Sequence, residues 1–210
     1  MSTPALRLYV DAQFASPYAM SAFVAMREKG LDFEISPIDL AHDANHSADY
    51  AARSLTERVP TLVHGDFSLS ESSAIAEYID EAFEGPRVYP AALQERARAR
   101  QLQAWLRSDL MPLRQERSTE VIFYGPSELP LSTEAQRAAD RLCRVALSLL
   151  DGKHGGLFDH WCVADLDLAL MLNRLVLNGD PVHDRLAAYA QQQWQRPSVQ
   201  AWVHQRRPEL

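Results

Sequence analysis

The sequence predicts a chain in two parts, an α+β N-terminal half with the element order βαβαββα and an all-α C-terminal half. Segments with strand and helix periodicity alternate over the first 84 residues, whereas the periodic segments after residue 92 are all helical. Between them, Glu84–Ala92 (EGPRVYPAA) is rich in Gly and Pro, which is typical of a linker. We therefore expect domains over residues 1–84 and 93–210, joined by a linker over residues 85–92.

The first part is expected to hold four strands and two clear helices. The predicted strands are Leu6–Val10, Phe33–Ile38, Thr61–Val63 and Phe67–Leu69. Ser16 is a favourable N-cap, Pro17 suits the first helical position and Gly30 suits the position after the last turn, so a helix is expected between the first two strands. The second helix is predicted from Ser72 to about Phe83, and the polar segment Ala41–Glu57 is expected to be a loop with a short helix.

The second part is expected to be helical throughout. The predicted helices are Leu93–Gln115, Thr133–Leu150, Val163–Leu177, Asp184–Gln193 and Pro197–Gln205. Pro112 is expected to kink the last turns of the first of these, and Thr133 with Gln136 forms a capping box for the second. Val163–Leu177 is apolar nearly all round, which predicts a buried central helix.

Composition narrows the classes of partner. With 21 basic and 28 acidic residues the formal net charge is −7, which argues against nucleic acid as the main partner. The most apolar stretch, Leu166–Leu177, is broken by charged and amide side chains, so we expect no membrane association, and we recognise no signal peptide. Cys143 and Cys162 form neither a disulfide framework nor a CxxC pair, so a reducing cytoplasm is the expected compartment.

A candidate anion site lies at Ser16-Pro17-Tyr18, where the first strand turns into the first helix. The N–H groups and dipole at a helix N-terminus favour an anion, and a thiol bound there is stabilised as the thiolate. The alternative is that Ser16 only caps the helix, which by itself accounts for a serine at this position.

Two further segments carry candidate binding residues. A cis Pro60 would turn the N–H and C=O of Val59 outward to pair with an extended peptide, so we expect a cis bond; the alternative is an ordinary trans proline at an edge strand. Glu71 and Ser72 begin the second helix, where N–H groups and a hydroxyl can hold a carboxylate while Glu71 pairs with an ammonium group. Alternatively, Glu71 only complements the helix dipole and Ser72 only caps.

The order of these segments on a βαβαββα background resembles the soluble glutathione S-transferase superfamily over essentially the whole chain. The segments that carry the resemblance are Ser16–Tyr18, Arg58–Leu62, Leu69–Ile75 with Tyr78, Cys162–Asp165 and Trp194–Val199. Arg96–Met111 and Glu116–Phe123 are similar to a small bacterial subgroup with glutathione-linked peroxidase and conjugating activity. The resemblance implies a thioredoxin-like fold for the N-terminal domain, and a homodimer.

The resemblance also implies roles for individual residues. Ser16 would donate its hydroxyl to the glutathione thiolate, Val59 would pair with the cysteinyl backbone, and Glu71 with Ser72 would hold the γ-glutamyl end. The candidates for the glycine carboxylate are Asn45, His46 and Arg58, and those for the electrophile are Met111, Arg114 and Phe123.

Several rival assignments remain open at this point. Tyr9 is an alternative thiolate stabiliser, although its place within a strand favours packing, and Tyr18 or Ser21 are candidates to assist Ser16. His42 and His46 have i, i+4 spacing but lie in a polar stretch with no clear third ligand, so no metal is expected.

The leading hypothesis is an enzyme in which the glutathione thiolate attacks a small electrophile or a hydroperoxide, with glutathione as co-substrate. A second hypothesis is a non-catalytic protein of the same fold that binds a protein partner in a stress response or in transcription. A glutathione-dependent isomerase or dehalogenase is a third. The combined presence of Ser16, Val59-Pro60 and Glu71-Ser72 favours the enzyme, because a scaffold has no need of the whole set.

Overall fold

The computed structural model describes residues 6–209, and the predicted fold class is confirmed. The first part contains β1 (Leu6–Asp11), α1 (Pro17–Glu28), β2 (Glu34–Ile38), a 3₁₀ turn (Ala44–His46), α2 (Ala48–Ala51), β3 (Thr61–His64), β4 (Phe67–Ser70) and α3 (Ser72–Ala82). The second contains α4 (Leu93–Ser108), α5 (Met111–Glu116), α6 (Glu120–Phe123), α7 (Thr133–Leu150), α8 (Val163–Val176), α9 (Asp184–Trp194) and α10 (Pro197–Val203). Among the helices in residues 6–209, none has the length and apolar character needed to cross a membrane.

The four strands form one mixed sheet in the order β2-β1-β3-β4. β1 runs parallel to β2 and antiparallel to β3, and β3 is antiparallel to β4. The register pairs Tyr9 with Thr61 and Thr61 with Ser70. The end of β1, the start of β3 and the end of β4 therefore lie at the same edge of the sheet, which we call the site edge.

The chain forms two compact units. Within the described residues, one unit contains residues 6–88 together with residues 201–209, and the other contains Tyr89–Gln200. The division after Val88 falls within the predicted linker, whereas no sequence pattern indicates that the C-terminal segment belongs with the first unit. The reason is packing: the fully buried ring of Trp202 contacts the rings of Phe14 and Phe23.

In the second unit, α8 is buried along most of its length, as the sequence predicts. Asp165 at its first turn accepts hydrogen bonds from the Cys162 amide (3.0 Å), the Leu157 amide (2.8 Å) and the Tyr189 hydroxyl (2.9 Å). Asp165 therefore satisfies the amide of Cys162, the N-cap residue of α8. Burial raises the pKa of Asp165, although these hydrogen bonds oppose the shift.

The prediction of a single kinked helix over Leu93–Gln115 is wrong. α4 ends at Ser108, and Leu110 adopts a left-handed conformation with φ of 61° before α5 begins at Met111. Pro112 lies in the first turn of α5, where its missing N–H costs nothing because that amide has no partner within a helix. Asp109 stabilises the break by accepting hydrogen bonds from the Leu110 amide (2.7 Å) and the Trp105 indole (3.0 Å).

The predicted capping box at Thr133 and Gln136 is also wrong. The N-cap of α7 is Ser132, whose hydroxyl oxygen accepts a hydrogen bond from the Ala135 amide at 3.2 Å. Glu116 selects this residue, because its carboxylate accepts hydrogen bonds from both the amide (2.7 Å) and the hydroxyl (2.6 Å) of Ser132.

Candidate functional site

Three predicted segments of the first unit meet at the site edge. Ser16 follows β1, Val59 and Pro60 precede β3, and Glu71 follows β4. Both α1 and α3 begin at this edge, so the positive ends of two helix dipoles lie there. This arrangement favours an anionic ligand.

Ser16 is the N-cap of α1, as predicted, and is half-buried. Its hydroxyl oxygen accepts a hydrogen bond from the Ala19 amide at 3.2 Å. Because a hydroxyl both accepts and donates hydrogen bonds, Ser16 can also donate a hydrogen bond to an acceptor atom of a bound ligand. Capping the helix and holding an anion are therefore compatible roles for this one side chain.

The Ser16 backbone is hydrogen-bonded to Asp11, a residue that no sequence motif indicates. Asp11, at the end of β1, accepts hydrogen bonds from the amides of both Ala15 and Ser16. The signal that could have found it is an aspartate at a strand end a few residues before an N-cap, a position where carboxylates often bond to the amides of the following turn.

The Val59–Pro60 peptide bond is cis, as predicted. The segment before it is held by hydroxyl groups around the Arg58 carbonyl oxygen. The Tyr50 hydroxyl donates to this oxygen at 2.8 Å, and the hydroxyls of Thr61 and Ser54 lie 3.1 and 3.3 Å from it. Burial raises the pKa of the Tyr50 phenol above its ordinary value.

Glu71 has the backbone conformation φ 72°, ψ 117°, which is rare for a residue other than Gly. It is the N-cap residue of α3, and its carbonyl oxygen accepts a hydrogen bond from the Ile75 amide at 2.9 Å. Its side chain is exposed, whereas Ser72, the first helical residue, is buried. The cap position therefore belongs to Glu71 and not to Ser72, and the Glu71 carboxylate is accessible to a ligand.

The rival thiolate stabilisers occupy different surroundings. The Tyr9 ring packs edge-on against the Tyr50 ring, with centroids 5.6 Å apart. Ser21 is fully buried within α1. Tyr18 follows Ser16 on the first turn of α1 and is half-buried.

The three candidates for a glycine carboxylate differ in the partners they hold. The Asn45 side-chain amide donates to the Glu57 carbonyl oxygen at 3.0 Å, and the His46 ring nitrogen lies 2.7 Å from the Glu57 carboxylate. Arg58 is exposed and directly precedes Val59. His42 contacts Asp39 instead, so the two histidines lie in separate pairs, and residues 6–209 contain no group of three or more potential metal ligands.

The candidate electrophile residues belong to the second unit. Met111 begins α5 and is 48% exposed. Arg114 donates a hydrogen bond to the Arg107 carbonyl oxygen at 2.7 Å, and the ring centroid of Phe123 lies 6.5 Å from that of Trp194.

Comparison with known families identifies this architecture. The family model for the glutathione S-transferase N-terminal domain matches residues 14–87, and that for the C-terminal domain matches residues 92–206. The chain belongs to the glutathione S-transferase family. Its first unit accordingly has the thioredoxin-like fold of that family, as the resemblance implied.

Individual glutathione S-transferases are similar to this chain in sequence and structure. A solved structure of a glutathione transferase homolog from Burkholderia, with bound glutathione, is 50% identical and has a TM-score of 0.79, covering 95% of this chain and 96% of that one. Glutathione S-transferase Z1 of Arabidopsis thaliana is 27% identical over 97% of this chain and 94% of its own length. Glutathione S-transferase 3 of Zea mays is 40% identical over 43% of this chain, and the match spans only 40% of the maize protein.

Proposed function

We propose that this protein is a glutathione transferase that binds glutathione at the site edge and stabilises its thiolate with the Ser16 hydroxyl. The observation that carries the proposal is the position of Ser16 at the N-terminus of α1. Its hydroxyl oxygen caps the helix, so its O–H remains able to donate a hydrogen bond to a sulfur bound at the positive end of the helix dipole. The Burkholderia homolog, at 50% identity over 95% of this chain, has glutathione bound, which supports the ligand.

The charges of glutathione match the groups at the site edge. The exposed Glu71 carboxylate suits the γ-glutamyl ammonium group, and the N-terminus of α3 at Ser72 suits the adjacent carboxylate. Val59 would pair with the cysteinyl backbone as an added strand. Because Asn45 and His46 already bind Glu57, we assign the glycine carboxylate to Arg58.

The proposed chemistry is nucleophilic attack by the bound thiolate. With an electrophile, a sulfur–carbon bond forms and the leaving group departs with its electron pair. With a hydroperoxide, the thiolate attacks oxygen, the O–O bond breaks to give an alcohol and a glutathione sulfenic acid, and a second glutathione then releases water and the disulfide. In this proposal the electrophile contacts Met111, Arg114 and Phe123.

We also propose a cytoplasmic homodimer. Both cysteines, Cys143 and Cys162, are free, which fits a reducing compartment. Between α4 and α7 lies an apolar groove of about 250 Å³, lined by Arg98, Gln101, Leu102, Trp105, Val145 and Leu149. Its nearly continuous apolar lining suits the matching face of a second copy.

The binding step is tested by retention on immobilised glutathione, with release by free glutathione. Failure to bind would favour the alternative of a non-catalytic protein that contacts a protein partner.

The chemical step is tested by Ser16→Ala. Losing one hydrogen bond to a charged group costs ~1.5–3 kcal/mol, so we expect a higher pKa for bound glutathione and a roughly ten- to hundredfold slower conjugation near neutral pH. The measurement is the ultraviolet absorbance of the thiolate in the complex as a function of pH. Because alanine also removes the cap of α1, circular dichroism must show that the variant is folded.

Ser16→Thr is the matched control, because it keeps a hydroxyl and much of the capping. We expect it to retain most of the thiolate at neutral pH. If the pKa of bound glutathione is unchanged in folded Ser16→Ala, another group stabilises the thiolate, such as Tyr18 or a backbone amide.

A further inference from the structure

The turn that carries Ser16 is built around one buried carboxylate. Asp11 is 3% exposed, and its Oδ2 accepts a hydrogen bond from the Ala15 amide at 2.7 Å. The Ser16 amide lies 3.1 Å from both carboxylate oxygens. Both amides precede Pro17, the first residue of α1, so the helix itself offers them no acceptor.

The same turn is held from its other side by the C-terminal segment of the first unit. Arg207 donates hydrogen bonds to the carbonyl oxygens of Phe14 and Trp202, each at 3.1 Å. The Phe14 ring packs on the Trp202 ring with centroids 5.4 Å apart, and Phe14 has the unusual φ of 48°. The turn thus has a defined shape, fixed by a carboxylate on one side and a guanidinium group on the other.

A buried carboxylate is a costly way to satisfy two amides if stability alone is at stake. Desolvation raises the pKa of Asp11, while the amides of Ala15 and Ser16 and the positive charge of Arg207 act in the opposite direction. A negative charge near the proposed thiolate also opposes ionisation of the thiol. What the carboxylate contributes in return is position, because it fixes the backbone of the residue whose hydroxyl must reach the sulfur.

We propose that Asp11 is a positioning residue for thiolate stabilisation: through its bonds to the Ala15 and Ser16 amides, it places the Ser16 hydroxyl against the glutathione sulfur. The inference rests on the proposed function, since it concerns the same site. It makes a specific claim about coupling, namely that Asp11 acts on the thiol only through Ser16.

A double-mutant cycle between Asp11→Ala and Ser16→Ala tests this coupling, with the pKa of bound glutathione as the readout. We expect Asp11→Ala alone to raise that pKa and to slow conjugation near neutral pH by roughly tenfold, as the loss of one charged hydrogen bond would. In the Ser16→Ala background, Asp11→Ala should raise the pKa no further. A direct charge effect has the opposite sign, because removing a negative charge lowers the thiol pKa in both backgrounds.

Asp11→Asn and Asp39→Ala complete the experiment. Asn keeps the shape of Asp and one acceptor oxygen, so we expect Asp11→Asn to raise the pKa of bound glutathione by less than Asp11→Ala does. If Asp11→Ala does not fold, Asp11→Asn replaces it in the comparison of the wild-type and Ser16→Ala backgrounds. Asp39 follows β2 and accepts hydrogen bonds from the amides of Ala41 and His42 in a similar turn. Because this turn does not contain Ser16, Asp39→Ala should leave the pKa of bound glutathione unchanged.

The outcomes separate this inference from the proposed function. If Ser16→Ala raises the thiol pKa while both Asp11 variants leave or lower it, or raise it equally in both backgrounds, the role of Asp11 is wrong and the proposed function stands. If the wild-type protein holds no glutathione thiolate, both are wrong.

Discussion

At the residue scale, Ser16 and Glu71 have a feature in common. The backbone of each is engaged by the fold, since the Ser16 amide bonds to Asp11 and the Glu71 carbonyl oxygen accepts the Ile75 amide. The side-chain group proposed to meet glutathione is a donor proton in one case and an exposed carboxylate in the other. Because the fold holds the backbone of each residue in place, less ordering entropy would oppose binding of the proposed ligand.

Glu71→Gln is expected to weaken glutathione binding without slowing the bound complex. Glu71 would contact the ammonium end of glutathione, far from the sulfur, in the substrate and transition state alike. We expect the KM for glutathione to rise about tenfold, which corresponds to ~1.4 kcal/mol, with kcat unchanged. Steady-state kinetics at varied glutathione measures both.

The matched control is Glu81→Gln, an exposed glutamate near the other end of α3, which should leave KM unchanged. A lower kcat with unaltered KM in Glu71→Gln would contradict the assignment.

At the element scale, a buried ion pair joins α1, α3 and the linker. The Lys29 ammonium group lies 3.2 Å from an Asp80 carboxylate oxygen, and the two side chains are only 2% and 5% exposed. The same oxygen accepts the Val88 amide at 2.9 Å. Gly85 approaches the end of α1 so closely, with φ of 111°, that a Cβ there would meet the Lys29 carbonyl oxygen at 3.1 Å.

We expect Lys29→Met to lower the free energy of unfolding by about 3–5 kcal/mol, because it leaves the Asp80 carboxylate buried without a cation. Adding Asp80→Asn should recover part of this loss, since Asn removes the charge and keeps an acceptor for Val88. Urea unfolding followed by circular dichroism measures the effect. Lys153→Met, at an exposed lysine, is the control and should change stability little; equal losses at the two lysines would rule out the pair as the cause.

At the scale of the whole molecule, each unit has its own core and its own surface features. The first unit gathers its candidate ligand contacts at the site edge, and the second exposes the apolar groove between α4 and α7. We propose that this groove contacts a further copy of the chain.

Sedimentation equilibrium is expected to give twice the chain mass of 23.7 kDa. Leu149→Glu places a charge in the apolar groove and should shift the protein toward the monomer, because an unpaired charge is costly to bury in an interface. Leu129→Glu, at a leucine that is 73% exposed and outside the groove, should leave the mass unchanged. A monomer mass at every concentration would refute the dimer.

Much of the fold and of the candidate site could be predicted from the sequence because it depends on local chemistry. Ser16 and Pro17 mark the start of α1, and alternation marks the strands, since capping and periodicity act within a few residues. The candidate segments around Val59 and Glu71 could be predicted in the same way, because each lies next to a strand or helix that local sequence marks. Which strand ends share an edge, however, depends on the register of β1, β3 and β4.

What only the tertiary structure decided involves partners distant in the chain. Pro112 suits a kinked helix or a new one, and Asp109 at the break is also bound by Arg141 at 2.9 Å. Ser132 rather than Thr133 caps α7 because Glu116 reaches it. Arg207 donates a hydrogen bond to the carbonyl oxygen of Phe14, although the two residues lie near opposite ends of the sequence. By itself, the sequence determined most of the elements and which residues are candidates for the site. Contacts between distant residues decided where helices break and what supports Ser16, because periodicity carries no information about such partners.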